Sequence, residues 1–446
     1  MVEEKTIYDV IVVGAGHAGI EAALLTAKKN LKTLLLSINM DNIALMPFGN
    51  DMGGCVRELI IRELNILGGE MPDNIVRSYI NLNKERKDSE MVKVLVDERR
   101  YSLFLNKVLE NKENLYIRQA LAVDINKEGE YIRLKTSDGI VYYGKYIIIA
   151  TGTFLGGRIY WGDYEMEAGR HGEICSSSFL RSLEKIGFNF GLLRRYVAPT
   201  VDLKTIKRSV LKKQFNVEAD KFFLDIENKE EIKQKCSYSN RIGSGVVKYI
   251  KEMKREILNN GKRILEGKQL PIEGRIFKEE SGEDREVIIQ PLGRNTGEMY
   301  MKGMETALPE KLQLNILRKL KGFEKVEITR PGYGIEYNYM SASQLDKNLE
   351  SKGISGIFFA GKVNGTIGYE ESAAQGIIAG IGVSRKIRGI ENVFLKKEDG
   401  CIGRFISNIA EGKGNSSLLG DDILKTGDYS KNVKNINMKL KNILGF

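Results

Sequence analysis

The pattern of apolar and polar residues at the start of the chain predicts an α/β fold. Val10 to Val13 form a short apolar run that is typical of a buried strand. Ile20 to Asn30 have the apolar spacing of a helix, and Leu31 to Leu36 predict the next strand. The order of these elements is that of a complete βαβ unit.

Three glycines lie between the first strand and its helix. Gly14, Gly16 and Gly19 form a G-x-G-x-x-G pattern, in which the first glycine permits a tight turn and the second lets the backbone approach a pyrophosphate. The third lets the helix pack closely on its strand. Because a strand and a helix flank the pattern, the loop predicts a dinucleotide site that includes His17 and Ala18.

The end of the second strand lacks the acidic residue that commonly holds a ribose in such folds. Ser37 and Asn39 lie there instead. Their side chains can also hydrogen-bond a ribose hydroxyl.

Two distant segments favour FAD as the nucleotide. Tyr146 to Ala150 predict a buried strand that runs into Thr151 and Gly152. Later, a strand after Gly356 runs into a glycine turn, and a small-residue helix opens at Gly368. Each segment alone fits ordinary α/β architecture, but together they have the order of a discontinuous FAD-binding domain. The residues expected to bind FAD are Gly14, Gly16, His17, Ala18, Gly19, Ser37, Val123, Ala150, Thr151, Gly152, Gly361, Asn364, Gly368, Glu371, Gln375 and Gly376.

Length and composition limit the classes of protein to consider. A chain of 446 residues exceeds what one apolar core usually organises, so two or three domains are expected. No apolar run approaches the roughly 18 residues that a membrane span requires. The first residues do not resemble a signal peptide. We therefore expect a cytoplasmic protein without a membrane partner.

The charge balance leaves two interpretations open. The chain has 69 Lys and Arg against 59 Asp and Glu, a net charge of +10. A polyanionic partner and a lysine-rich surface without such a role explain this equally well. The four cysteines include no C-x-x-C pair, and the chain has two histidines, so the sequence predicts neither a disulfide framework nor a metal site.

Four segments read together resemble the MnmG (GidA) family of RNA-modifying flavoproteins. They are residues 13–23, 150–158, 330–337 and 359–376, in the order and at the spacing of that family. The resemblance covers Tyr8 to about Arg388. The related TrmFO flavoproteins, which methylate uridine at C5, match the same segments less closely.

The resemblance implies a reaction and a set of cofactors. Members of the family use FAD with reduced folate, and in MnmG a GTPase partner, to modify C5 of the wobble uridine of tRNA. For this chain the resemblance implies modification of uridine C5 in tRNA or rRNA. It implies methylenetetrahydrofolate as carbon source and NADH or NADPH as reductant. RNA is the expected partner, and a homodimer is a family-based expectation.

The sequence departs from the family at its cysteines. Phe48 stands where the resemblance places the nucleophilic cysteine, and Gln269 or Leu270 stands at a second family cysteine. Cys55 is the remaining candidate for the nucleophile, although a small buried cysteine on the next helix is the alternative interpretation.

The expected domains follow from these segments. Residues 1–196 and 290–390 form the two parts of a Rossmann-like FAD-binding domain, and residues 197–289 form an inserted α+β domain. Residues 391–446 form a short C-terminal segment in place of the family's C-terminal helical domain, so a GTPase partner is not expected. The lysine-rich end from Tyr429 to Phe446 either contacts RNA phosphates or, as we expect, is a solvated terminus.

Three functions therefore stay open. The first is an MnmG-like, FAD-dependent and folate-using modification of uridine C5. The second is a TrmFO-like methyl transfer without a GTPase partner. The third is a flavin-binding paralogue that is non-catalytic or performs another reaction, because both family cysteines are missing.

Overall fold

The computed structural model describes residues 6–84, 92–214, 234–260, 270–278, 285–411 and 429–444. Within these ranges the side chains of residues 55, 56, 84, 260 and 429–433 are not described.

A seven-stranded sheet forms the centre of the first part of the protein. Its strands are β1 (Ile7–Val13), β2 (Thr33–Ser37), β6 (Leu115–Gln119), β7 (Ala122–Glu128), β8 (Tyr131–Thr136), β9 (Val141–Ile149) and β20 (Ile357–Phe359). They lie in the order β6-β2-β1-β9-β8-β7, and β20 also pairs with β9. The pairs of β1 with β2 and β9, of β2 with β6, and of β20 with β9 are parallel.

Helices cover this sheet and bury its apolar strands. Val10, Ile11 and Val12 of β1 are fully buried, as expected for a parallel strand covered on both faces. The helices of this part are α1 (His17–Lys28), α2 (Cys55–Ile66), α3 (Met71–Ser78), α4 (Glu98–Glu110), α5 (Ser177–Lys185) and α10 (Tyr369–Ile387). A three-stranded sheet, β3 (Asp51–Gly53), β5 (Val92–Val96) and β4 (Tyr79–Lys84), lies beside them.

Small residues bring α1 and α10 into close contact. A Cβ atom added at Gly376 would lie 2.0 Å from the carbonyl oxygen of Ala18. A Cβ atom at Gly380 would lie 3.2 Å from the carbonyl oxygen of Ala22. This contact fixes the start of α10 beside the glycine loop that precedes α1.

Two antiparallel sheets form the second part. The four-stranded sheet has the order β11-β10-β19-β12, and its members are β10 (Arg158–Trp161), β11 (Tyr164–Glu167), β12 (Phe190–Val197) and β19 (Tyr333–Met340). The six-stranded sheet has the order β14-β15-β16-β17-β13-β18, and its members are β13 (Thr200–Asp202), β14 (Lys212–Lys213), β15 (Tyr238–Arg241), β16 (Glu286–Pro291), β17 (Glu298–Lys302) and β18 (Ile328–Arg330). The helices of this part are α6 (Ser244–Glu252), α7 (Lys254–Asn260), α8 (Ile272–Lys278) and α9 (Glu310–Leu317).

The α/β class with an inserted α+β part is confirmed. The boundary expected between residues 289 and 290 falls inside β16, because that strand pairs on both sides within the six-stranded sheet. The second apolar core extends from Ile159 to Tyr337. We therefore propose that the inserted part is longer than residues 197–289.

We had expected the last residues to be a solvated terminus, and this prediction is wrong. They form α12 (Tyr429–Leu444), which follows α11 (Cys401–Ala410). Ile436, Leu440 and Ile443 of α12 are buried in the first core. Their helical spacing puts the three residues on one face of α12, and this face of the lysine-rich segment is buried.

Candidate functional site

The glycine loop between β1 and α1 forms one wall of a deep cleft. Gly14 has a φ of +108°, and a Cβ atom there would lie 2.5 Å from the carbonyl oxygen of Ala150. A Cβ atom at Gly19 would lie 1.7 Å from the carbonyl oxygen of Gly14. Both positions therefore require glycine, for the turn and for close packing respectively.

Gly16 differs from its neighbours because it borders open space. It has a φ of −82°, and a Cβ atom added there would meet nothing within 4 Å. Gly16 is the N-cap of α1, and no side chain caps this helix. The first turn of α1 thus presents backbone N–H groups to the cleft, which suits a pyrophosphate.

The cleft has an empty volume of about 1110 Å³, which includes open solvent at its mouth. The structure brings together at its surface many of the residues predicted to bind FAD. Those that line it are Gly14, Gly16, His17, Ala18, Ser37, Ala150, Thr151, Gly152 and Gly368. Asn39 also lines it, beside Ser37.

The other predicted residues lie behind this surface. They are Gly19, Val123, Gly361, Asn364, Glu371, Gln375 and Gly376, of which Val123 directly follows the lining residue Ala122.

Gln375 links two other members of this second group, Gly361 and Asn364. Its Oε1 accepts hydrogen bonds from the backbone N–H of Gly361 at 3.0 Å and from Nδ2 of Asn364 at 2.8 Å. Its Nε2 donates to Oγ1 of Thr366 at 2.8 Å. These residues therefore hold the loop between β20 and α10 in shape.

Two polar atoms at the cleft have no partner in the described part of the chain. Nε2 of His17 and Oγ1 of Thr151 are both buried without a hydrogen bond. Burial, and then the charge of Lys362, lower the pKa of His17 to about 3, so its ring is neutral. The ring lies 4.7 Å from that of Tyr369, centroid to centroid. Unsatisfied buried groups of this kind fit a polar ligand in the cleft.

Several lining residues were not predicted from the sequence. They are Asn42, Phe154, Arg170, Glu173, Lys362 and Tyr369. Nδ2 of Asn42 donates to Oε1 of Glu173 at 2.6 Å, and Arg170 forms an ion pair with Glu173. Lys362 and Tyr369 lie inside the glycine-rich segment 359–376, which was the signal available for them.

A second cleft adjoins the first. Phe48, Lys362, Gly368 and Tyr369 line both clefts and form their common wall. The second cleft is polar, with arginine and lysine side chains along its walls. A ligand that fills the first cleft up to Tyr369 would therefore reach the second.

Two cationic side chains make cation–π contacts with the ring of Phe48. Nζ of Lys362 lies 3.5 Å from the ring centroid, and Cζ of Arg195 lies 5.1 Å from it. Leu270 lines the same cleft. Thus Phe48 and Leu270, both at positions where the resemblance places cysteines, lie at one cleft, while Gln269 lies outside the described residues.

None of the cysteine side chains that the structure describes lines either cleft. Cys175 and Cys236 are half-buried, and Cys401 is buried. Burial raises the pKa of the Cys175 thiol and of the Cys401 thiol, which makes both less reactive. Cys55 begins α2 directly after Gly54, but its side chain lies outside the description.

Neither a cluster of metal ligands nor a membrane-spanning helix occurs in the described ranges. No group of three or more His, Cys, Asp or Glu side chains there is placed to hold a metal ion. No helix there combines the length and the apolar character needed to cross a membrane.

Comparison with known proteins agrees with this architecture. Residues 9–391 match the family model described as glucose inhibited division protein A. The chain is 37% identical over 412 residues to the tRNA uridine 5-carboxymethylaminomethyl modification enzyme MnmG of Heliobacterium modesticaldum, covering 90% of this chain and 64% of that protein. It is 36% identical over 416 residues to the MnmG of Streptococcus sanguinis, covering 90% of this chain and 65% of that one.

A solved structure is similar over nearly the whole chain. GidA of Aquifex aeolicus superposes with a TM-score of 0.83 at 32% identity, covering 94% of this chain and 70% of that one. The chain spans just under two thirds of the length of the MnmG proteins named above. On these matches the chain belongs to the glucose inhibited division protein A (GidA) family.

Proposed function

We propose that this chain binds FAD in the first cleft and modifies C5 of a uridine in tRNA. The observation that carries the proposal is the common wall of the two clefts, formed by Phe48, Lys362, Gly368 and Tyr369. A nucleotide cofactor in the first cleft would therefore lie against a second, open cleft that can admit a substrate. The MnmG relatives, which are named as tRNA uridine modification enzymes, support the choice of reaction.

The first cleft offers a binding group for each part of FAD. The N-terminus of α1 at Gly16 binds the pyrophosphate, and Ser37 and Asn39 bind the ribose. The unpartnered Nε2 of His17 and Oγ1 of Thr151 serve as further hydrogen-bonding groups. Bound flavin supplies hydride chemistry, which no protein side chain provides.

The second cleft serves the substrate. The aromatic rings of Phe48 and Tyr369 at its walls provide surfaces on which an unstacked base can lie. Its cations suit the negative charge of RNA. NADH or NADPH as reductant, methylenetetrahydrofolate as carbon source, and a homodimer belong to this proposal as family-based expectations. A GTPase partner is not part of it, and the relatives give no support to the TrmFO-like alternative.

A second candidate function is a flavin-dependent reaction that uses no thiol. It is favoured by Phe48 and Leu270, which take the places of both family cysteines at the second cleft. Cys55 is the thiol on which the MnmG-like reaction would then depend. The two candidates therefore differ in whether a cysteine is needed.

Mass spectrometry of tRNA and rRNA nucleosides separates these functions. RNA from a strain that lacks the chain should lose a C5-modified uridine, and the wild-type gene should restore it. Unchanged RNA, together with a flavin absorbance spectrum of the purified protein, would reject the first function and favour the second. A colourless protein that binds no added FAD would reject both. Full modification by Cys55→Ala would reject Cys55 as the nucleophile.

A further inference from the structure

The second cleft contains more positive than negative side chains. The cations that line it are Arg57, Arg195, Arg275, Lys302 and Lys362, and the acids are Asp51 and Glu305.

Three of these cations have acidic partners. Nε of Arg57 lies 3.0 Å from Oε1 of Glu371, and Nη2 of Arg275 lies 2.7 Å from Oε2 of Glu305. Lys302 forms an ion pair with Asp51. Their charges are therefore largely neutralised within the protein.

Arg195 and Lys362 are different. Within the described ranges, no carboxylate lies within ion-pair distance of either side chain, and neither makes a hydrogen bond. Nε and Nη1 of Arg195 are buried without a partner. The ring of Phe48 is the contact that the two cations share. A cation–π contact stabilises a charge by less than the cost of burying it.

The charge of Arg195 also acts on Lys362. Burial, and then the neighbouring charges of Arg195 and Arg170, lower the pKa of Lys362 well below its usual value. Burial lowers the pKa of Arg195 as well. Because both shifts disfavour the charged forms, an anion bound beside the two groups would stabilise their charges.

We propose that Arg195 and Lys362 form a phosphate-binding site at the second cleft, beside the ring of Phe48. The proposal rests on the proposed function for the source of the phosphate, which there is the 5′-phosphate of the target nucleotide. A free phosphate is the other source with the same chemistry. Both cations donate hydrogen bonds to phosphate oxygens, and the guanidinium fork of Arg195 offers two parallel donors.

The test measures dissociation constants of the purified chain, with FAD added, for uridine 5′-monophosphate, uridine and inorganic phosphate. We expect uridine 5′-monophosphate to bind about tenfold or more tightly than uridine. Arg195→Gln and Lys362→Met should each remove most of this difference and weaken inorganic phosphate binding. Arg195→Lys, which keeps the charge, should retain part of it. Lys311→Gln removes an exposed lysine that lines neither cleft and should change nothing.

A stability measurement distinguishes phosphate binding by Arg195 and Lys362 from a merely structural role of these residues. Removing a buried cation that has no counter-ion should leave the melting temperature unchanged or raise it, whereas removing a structural contact lowers it. Inorganic phosphate should raise the melting temperature of the wild type but not that of Lys362→Met.

The outcomes distinguish this site from the proposed function. Inorganic phosphate binding that depends on both cations, without tighter binding of uridine 5′-monophosphate than of uridine, keeps the phosphate site but assigns it to a free phosphate. The same dependence with unchanged cellular RNA also keeps the site while the proposed function fails. Phosphate and nucleotide binding that is equal in wild type, Arg195→Gln and Lys362→Met would overturn the proposal.

Discussion

The ammonium nitrogen of Lys362 lies 3.5 Å from the centroid of the Phe48 ring. Phe48 is part of the common wall between the two clefts, and Arg195 contacts its ring as well. An apolar side chain therefore stands in the most positive part of the site, at the position where the resemblance places a cysteine.

Phe48→Cys should create an unusually reactive thiol. Nearby cations stabilise a thiolate and lower its pKa, and the position borders two open clefts, so burial opposes this effect only weakly. We expect alkylation by iodoacetamide at pH 7 to be at least about fivefold faster than at an ordinary cysteine. The measurement is the alkylation rate by intact-protein mass spectrometry, with the wild-type cysteines as background.

Phe394→Cys is the matched control, because Phe394 is 43% exposed and lines neither cleft. Equal alkylation rates for Phe48→Cys and Phe394→Cys would mean that Lys362 and Arg195 do not act on that position.

Gly16→Ala should weaken FAD binding without unfolding the chain. Gly16 has a φ of −82° and a ψ of −178°, a backbone that alanine adopts freely, and its Cβ would meet open space. The added methyl group nevertheless lies where the pyrophosphate must approach the backbone. We expect the dissociation constant for FAD, measured by flavin fluorescence, to rise by about tenfold or more.

Gly243→Ala controls for the loss of an N-cap glycine. Gly243 is the N-cap of α6, with a φ of −84° and a ψ of 169°, and a Cβ there also meets nothing within 4 Å. Both substitutions should lower the free energy of unfolding by less than about 1 kcal/mol. If Gly16→Ala binds FAD with normal affinity, the first cleft is not the binding site of the FAD pyrophosphate.

The sequence predicted the dinucleotide cleft because its signals are local. Gly14, Gly16 and Gly19 are contiguous with their strand and helix, so the spacing alone implies the loop. The contact of Phe48 with Arg195 and Lys362 has no such signal, because the three residues are far apart in the chain. Only the packing of β12 against the segments that precede β3 and α10 joins them. No local pattern therefore indicated the surplus charge.

The C-terminal helix was missed for another reason. Ile436, Leu440 and Ile443 have helical spacing, but the lysines between them suggested a solvated segment. The tertiary contact that buries this face comes from residues distant in sequence. Charge composition was thus a poorer guide than apolar periodicity.

Leu440→Ala should destabilise the protein strongly. Leu440 is fully buried in the first core, and truncating such a leucine removes apolar contacts and leaves a cavity. We expect the free energy of unfolding, measured in urea, to fall by about 3 kcal/mol. Met438, two residues earlier, is 56% exposed, and Met438→Ala should cost less than about 0.5 kcal/mol. Equal effects of the two substitutions would contradict the packing of α12.

Glu273→Gln should make stability less dependent on pH. Glu273 is fully buried, and Oε1 has no partner among the described residues. Burial raises its pKa from 4.5 to about 7, while hydrogen bonds such as that from Thr306 lower it. A raised carboxyl pKa stabilises the folded state fully below pH 4.5, and this contribution is lost as pH rises toward 7. Glutamine does not titrate, so the stability of the variant relative to wild type should increase by up to about 1.4 kcal/mol per pH unit in that window.

Urea unfolding at pH 5 and pH 7 measures this difference in the free energy of unfolding. Glu130→Gln, at an exposed position, should show no such increase. Parallel pH profiles for wild type and Glu273→Gln would show that folding does not raise the pKa of this carboxyl.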